Sequence, residues 1–171
     1  IQSMLDTLPK NDPLQVLDNE KALAQVKSML DNERSGRKSP NGGYYRMQKN
    51  KDGSKQKQAI NLITNEHYDV KKPKLTSIKA AKKEGPKAIF NANDKPGKFA
   101  WVVMRDTLLY AASLVPEIAD DIADIDAAMR AGYNWKWGPF ELIDKLGVTW
   151  FCNKVQSDGL ALPESLSLAE G

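Results

Sequence analysis

The 171-residue chain holds a single cysteine, Cys152, and a single histidine, His67. One thiol excludes an intrachain disulfide, and one Cys with one His cannot make a structural zinc site, which takes four such ligands. No uninterrupted apolar stretch approaches the ~18 to 20 residues of a membrane span, and the mean hydropathy is -0.54. The glycine-rich dinucleotide fingerprint, the phosphate loop and the nucleophile elbow are all missing. Ile1-Gln2-Ser3-Met4 has neither a Met start nor a basic-then-apolar signal pattern. The expectation is therefore a piece cut from something longer, working in reducing cytoplasm. What is present is 41% hydrophobic residues, enough for the core of one compact domain, or of a small domain with an appendage, and too much for a wholly disordered chain.

The net charge of +3 conceals an asymmetry. Residues 49–98 carry 13 Lys and Arg against 5 Asp and Glu, and residues 99–171 carry 5 against 11. Lys49, Lys51, Lys55, Lys57, Lys71, Lys72, Lys74, Lys79, Lys82 and Lys83 make the middle basic. Such a run could be a polyanion footprint, a contact for the phosphates of coenzyme A, or a solvated linker that docks on the acidic end. Arginine forks and stacking aromatics are missing from the run, which favours the linker and argues against nucleic acid as a partner.

Asp12-Pro13 reads as a helix start, with Leu17, Leu23, Val26, Met29 and Leu30 at roughly helical spacing as far as Arg34 and Gly36 as the left-handed stop. After the turn Ser39-Pro40-Asn41-Gly42-Gly43, Tyr44 to Met47 reads as a strand that Asp52-Gly53 folds back onto a second one near Gln58 to Ile63. Thr76 or Ser77 caps a short basic helix ending at Gly85-Pro86. Residues 99–119 are apolar on most of their circumference, as in a helix surrounded by others, with Pro116 as a kink. Asp120, Asp121 and Asp124 suit a helix start, with Ile122, Ile125 and Met129 as its stripe and Gly132 as its end. Gly138-Pro139 opens the next helix, with Phe140, Ile143 and Leu146 inward, a Glu141–Lys145 pair outward and Gly147 as its stop. Thr149 caps a last helix bearing Trp150, Phe151 and Val155, which stops near Gly159. The fold class is mainly α, a helical bundle with one small β-hairpin.

No cluster with reactive chemistry emerges. His67 stands among turn residues and reads as a surface histidine, and Cys152, beside Trp150 and Phe151, reads as a buried inert thiol. Asp120, Asp121, Asp124 and Asp126 match a cation site in composition only, since helix geometry sends 121 and 126 to different sides; helix capping is preferred. Trp101, Trp135, Trp137 and Trp150 suit a core or interface better than a ligand cage. No residue is assigned to catalysis, to cofactor binding or to a metal.

One segment is more specific. Asp124-Ile125-Asp126 opens a helix with Met129 on its stripe, and Gly138-Pro139-Phe140-Glu141-Leu142 with Asp144 and Gly147 follows. This order resembles the C-terminal helical domain of L-3-hydroxyacyl-CoA dehydrogenases. Upstream, Gly36-Arg37-Lys38-Ser39-Pro40-Asn41-Gly42-Gly43-Tyr44-Tyr45 looks like the ending of that same domain, yet it precedes the Gly-Pro-Phe element by about 95 residues. The resemblance therefore implies two copies, as in multifunctional fatty-acid β-oxidation proteins. Residues 1–48 would end a first helical domain, 49–98 would be a basic hairpin and linker, and 99–171 most of a second domain. It further implies that NAD, the Rossmann domain and the catalytic His and Glu precede this region, and that the acyl-CoA substrate is met in the intact enzyme. Where the family carries Asn before Arg, this chain has Met104 before Arg105, so the second copy would be kept for packing and stand in for a partner subunit. The alternative is a non-enzymatic helical module that binds a partner or polyanion through the basic stretch.

Overall fold

The computed structural model of the protein describes residues 2–71 and 75–169; Lys72 and Lys74 of the basic run lie outside them. The chain divides into two compact units, residues 1–73 and 74–171. The basic run is thus shared between them, its first lysines in the sheet of one and its last in a helix of the other.

The first unit opens with a short helix α1, Gln2–Leu5. Asp12 caps and Pro13 fills the first turn as expected, yet they start only a five-residue 3-10 turn, Pro13–Leu17. Helix α2, Glu20–Asp31, begins afresh behind Asn19, whose side chain accepts from the Ala22 amide at 3.1 Å. In a continuous helix that amide would bond Asp18, so the local side-chain bond splits the single helix expected here. The helix ends with Glu33 in the left-handed region, φ 54°. Arg34 N–H donates to Met29 C=O and Glu33 N–H to Leu30 C=O, the two bonds of a Schellman cap. The stop expected at Gly36 therefore falls three residues earlier. Gly36 instead lies against Gly43, where a Cβ would meet the Gly36 Cα at 2.9 Å.

Three strands follow, β1 (Tyr45–Lys49), β2 (Lys55–Ile60) and β3 (His67–Asp69), antiparallel in the order β1-β2-β3. The hairpin at Asp52-Gly53 stands, although β2 starts earlier than Gln58 and the sequence reading has no third strand. Asn61 makes that strand: its side chain accepts from the amides of Ile63 (2.8 Å) and Thr64 (3.2 Å), and Asn65 takes φ 59° to complete the turn. Arg34 donates to the Asn65 carbonyl and Asn65 to the Ser28 hydroxyl, which ties α2 to the sheet over a small core containing Leu5, Met29 and Ile60.

The second unit is helical: α3 (Thr76–Glu84), α4 (Pro86–Phe90), α5 (Lys95–Ser113), α6 (Ile122–Tyr133), α7 (Pro139–Leu146), α8 (Val148–Ser157) and α9 (Glu164–Ala169). Several boundaries differ from expectation. Leu75, not Thr76 or Ser77, stands at the start of α3. Helix α5 begins at Asp94, whose carboxylate accepts from the Gly97 amide at 2.9 Å, and stops three residues short of Pro116. That proline follows the helix instead of kinking it, as expected of a residue that disfavours α conformation before it. Helix α6 runs past Gly132 to a left-handed Asn134, and Gly147 rather than Thr149 precedes α8. Helices α4 and α9 are additions to the reading; α9 buries Leu166 and is pinned by Ser165 Oγ, which donates to the Ala112 carbonyl.

The core gathers Trp101, Leu108 and Ala112 of α5, Ile125 of α6, Phe140, Ile143 and Leu146 of α7, and Phe151, Cys152 and Val155 of α8. The inward face assigned to α7 is correct. The outward pair is not: Glu141 pairs with Arg130 of α6, while Lys145 lies over the Trp137 ring at 4.9 Å. Phe140→Ala removes a buried ring and leaves a cavity, at an expected cost of about 3 to 5 kcal/mol. A denaturation midpoint for the second unit that does not move would place Phe140 outside the core.

Candidate functional site

The junction of α6 and α7 is the most determined place in the chain. Asp126 leaves α6 pointing inward and is buried, 5% exposed. Its two carboxylate oxygens accept from the Phe140 amide at 2.9 Å and the Glu141 amide at 3.0 Å. These are first-turn amides of α7, which have no acceptor within their own helix. In an ordinary capping box the residue before the helix supplies that acceptor and the Glu of the first turn bonds back to its amide. Here Glu141 does bond back, to Gly138 N–H at 2.8 Å, but glycine has no side chain, so a carboxylate from another helix completes the box. A Cβ on Gly138 would fall inside the Asp126 side chain. Sequence reasoning placed Asp126 among capping residues and missed which helix it caps; the signal was its position between the inward Ile125 and Met129.

A second knot joins α5 to the end of α8. Trp101 Nε1 donates to Asp158 at 2.7 Å and Arg105 to the same carboxylate oxygen at 2.6 Å. The Trp101 ring lies 6.0 Å from Phe90 and 5.9 Å from both Trp150 and Phe151. Lys154 sits over Trp101 at 4.9 Å and Lys87 over Trp150 at 4.8 Å. Burial works to raise the Asp158 carboxyl, and the bonds from Arg105 and Trp101 outweigh it and hold the group below its ordinary value. Glu141 is lowered as well, first by the Gly138 amide and then by Arg130.

Between α5, the 114–119 segment and α6 lies an apolar cleft of about 370 Å³, lined by Tyr110, Leu114, Ile118, Ile125 and Met129 among others. The remaining candidates stay apart. His67 is half-buried rather than on the surface, with Nε2 3.0 Å from the Gly43 carbonyl. Cys152 is fully buried in the core. Asp121 caps α6 through the Ala123 amide. Among the described residues no group of three or more His, Cys, Asp or Glu could hold a metal. Trp101, Trp137 and Trp150 pack in or against the core, and so does Met104. Among the described residues no helix is long and apolar enough to cross a membrane.

The segment that contains the Asp126–Gly138 junction is also the one that matches a known family. Residues 102–164 match the family described as 3-hydroxyacyl-CoA dehydrogenase, C-terminal domain. The resemblance drawn from Gly138-Pro139-Phe140 is thereby borne out, as is the mainly helical fold. The chain is 39% identical over 106 residues to a Bacillus subtilis (strain 168) protein named as a 3-hydroxyacyl-CoA dehydrogenase; the match covers 61% of this chain and 13% of that protein. It is 31% identical over 142 residues to a Rickettsia prowazekii (strain Madrid E) protein named as a fatty acid oxidation complex trifunctional enzyme, with 82% of this chain and 18% of that protein covered. A Rickettsia felis (strain ATCC VR-1525 / URRWXCal2) protein of the same name gives 34% over 142 residues and the same coverage. The chain thus spans less than a fifth of the length of the curated relatives it matches. No solved structure matches it.

Two measurements test the knots. Gly138→Ala forces a methyl into the Asp126 carboxylate and is expected to cost about 1 to 3 kcal/mol; an unchanged melting temperature would contradict the packed cap. Because Asp158 and Glu141 are lowered in the folded state, their stabilisation is full above their ordinary values of 3.8 and 4.5 and is lost as pH falls through the lowered ones. Acid unfolding of the second unit is therefore expected to be less steep in Asp158→Asn, and identical acid titrations of the two proteins would contradict the assignment.

Proposed function

We propose that this chain is a C-terminal part of an NAD-dependent L-3-hydroxyacyl-CoA dehydrogenase of fatty-acid β-oxidation, which oxidises L-3-hydroxyacyl-CoA to 3-ketoacyl-CoA in the cytoplasm. The observation that carries this reading is the Asp126–Gly138 junction, whose residues lie inside the matched segment 102–164 and depend on one another sterically. Residues 1–48 are the end of a first helical domain, 49–98 a basic hairpin and linker, and 99–171 a second helical domain. The similarity to the Rickettsia prowazekii protein runs through 142 residues, more than twice the length of the matched family segment, and supports this order as shared.

NAD belongs to another part of the parent in this reading. The described residues do not form a Rossmann site: the three strands are antiparallel, whereas such a site needs a strand, a glycine-rich turn and a helix in a parallel βαβ unit. The chain's own contribution is packing against the Rossmann and first helical domains and support of the acyl-CoA site. Met104 fits that role, since a side chain packed against the core stands where the family places a polar Asn.

The isolated chain is expected neither to bind NAD nor to oxidise hydroxyacyl-CoA, and micromolar NAD binding in a calorimeter would overturn the division of labour. Deleting residues 99–171 from the intact parent is expected to expose an apolar face beyond the few hundred Å² (roughly) that monomers tolerate, with self-association visible by light scattering. A truncated parent that stays soluble, fully active and in its original oligomeric state would remove the packing role.

A further inference from the structure

The two faces of the three-stranded sheet differ in kind. In an antiparallel sheet directly paired residues share a face, and alternate residues along a strand do too. One face carries the row Arg46, Gln58 and Asp69. Arg46 Nε donates to Gln58 at 2.7 Å and Gln58 donates to Asp69 at 2.8 Å. That row satisfies itself. The other face carries the row Tyr45, Ala59 and Tyr68, with the two tyrosines 47% and 53% exposed. The next two rows on that face are Met47 with Lys57 and Lys49 with Lys55, all of them exposed. No Asp or Glu stands in these rows. Tyr45 precedes the basic run and Tyr68 lies within it, and the sheet sets both beside its lysines on one face.

We infer that this face binds the nucleotide end of a coenzyme A thioester, with the adenine over Ala59 and stacked on Tyr68, and the phosphates on Lys49, Lys55 and Lys57. Neighbouring strands lie about 4.8 Å apart, so the two tyrosines are two spacings, about 10 Å, from each other. Alanine between them leaves a gap whose half-width, about 5 Å, falls inside the 4.5 to 7 Å range of stacked rings. Lys57 already holds its ammonium over the Tyr45 ring, 4.2 Å from its centre, so that ring carries a positive charge beside the gap, within reach of a phosphate, and the Tyr68 ring is left for the base. The footprint has one ring slot and three cations within two strands of five and six residues. That suits a single nucleotide bearing several phosphates; single-stranded nucleic acid is followed by grooves that track the backbone over several nucleotides. The choice of coenzyme A as the source of the nucleotide rests on the dehydrogenase reading; the ring-and-lysine geometry does not.

The test is calorimetry on the full 171-residue chain with coenzyme A, 3′-phosphoadenosine 5′-phosphate, adenosine and a single-stranded oligonucleotide as probes. Coenzyme A and the bisphosphate nucleotide are expected to bind alike, and adenosine at least tenfold more weakly. Tyr68→Ala and the pair Lys49→Gln/Lys55→Gln are each expected to weaken coenzyme A binding at least tenfold, with Tyr68→Phe retaining it. Circular dichroism of each variant shows whether the sheet persists, and Lys49→Gln/Lys55→Gln, exposed at the far end of the hairpin, keeps the test open if Tyr68→Ala unfolds it. Absence of coenzyme A binding at millimolar concentration overturns the site, as does binding indifferent to these variants. An oligonucleotide that binds more tightly than coenzyme A overturns the choice of source. Each of these failures leaves the dehydrogenase activity of the intact parent untouched and separately measurable.

Discussion

The second unit depends on a carboxylate that belongs to one helix and caps another. Asp126 is buried where a charge is costly unless it is fully bonded, and the two amides it accepts from are those that α7 cannot satisfy alone. Each charge-assisted bond of this kind is worth roughly 1.5 to 3 kcal/mol net. The arrangement requires glycine at 138, since any larger residue would occupy the carboxylate's place, and it brings the inward face of α7 against α5 and α6. Phe140, Ile143 and Leu146 reach the core because the first turn of their helix is fixed from outside it.

That constraint connects the fold to the function proposed for it. The Gly-Pro-Phe-Glu run preserves a tertiary contact rather than a reacting group: glycine for the approach of Asp126, proline for the helix start, Phe for the core and Glu for the bond back to Gly138. The acid–base candidates are likewise used structurally, with His67 on a carbonyl of the first unit and Cys152 in the core of the second. Asp158 binds Trp101 and Arg105 and so fixes the end of α8 onto α5. A region built this way suits the bracing role proposed for it.

Much of this was legible in the residues. Gly138-Pro139, the inward Phe140, Ile143 and Leu146, the stop at Gly147 and the turn at Asp52-Gly53 all carry local signals and stand where the sequence put them. The misreadings share a cause, hydrogen bonds that periodicity and composition do not announce, some of them local and some from another helix. Asn19 took an amide that helical periodicity had assigned to Asp18. Glu33 took the left-handed position that glycine usually holds, because two backbone bonds close the helix there. Glu141 turned from Lys145, one turn away on its own helix, to Arg130 on another. The third strand was hidden because three residues are too few for a period-two pattern, and Asn61 and Asn65 encode it through a turn. Spacing could show Asp126 on the inward side of α6 but not its pairing with α7, which joins residues 14 and 15 apart across a loop.

Amide hydrogen exchange at Phe140 and Glu141 addresses the central interaction directly. First-turn amides of a helix ordinarily exchange fast for want of an acceptor, so their protection reports the carboxylate from α6 and little else. The account predicts that both amides exchange only when the second unit opens as a whole, as slowly as those in the middle of α5. Exchange at the rate of a free helix end, with α5 still protected, would contradict it.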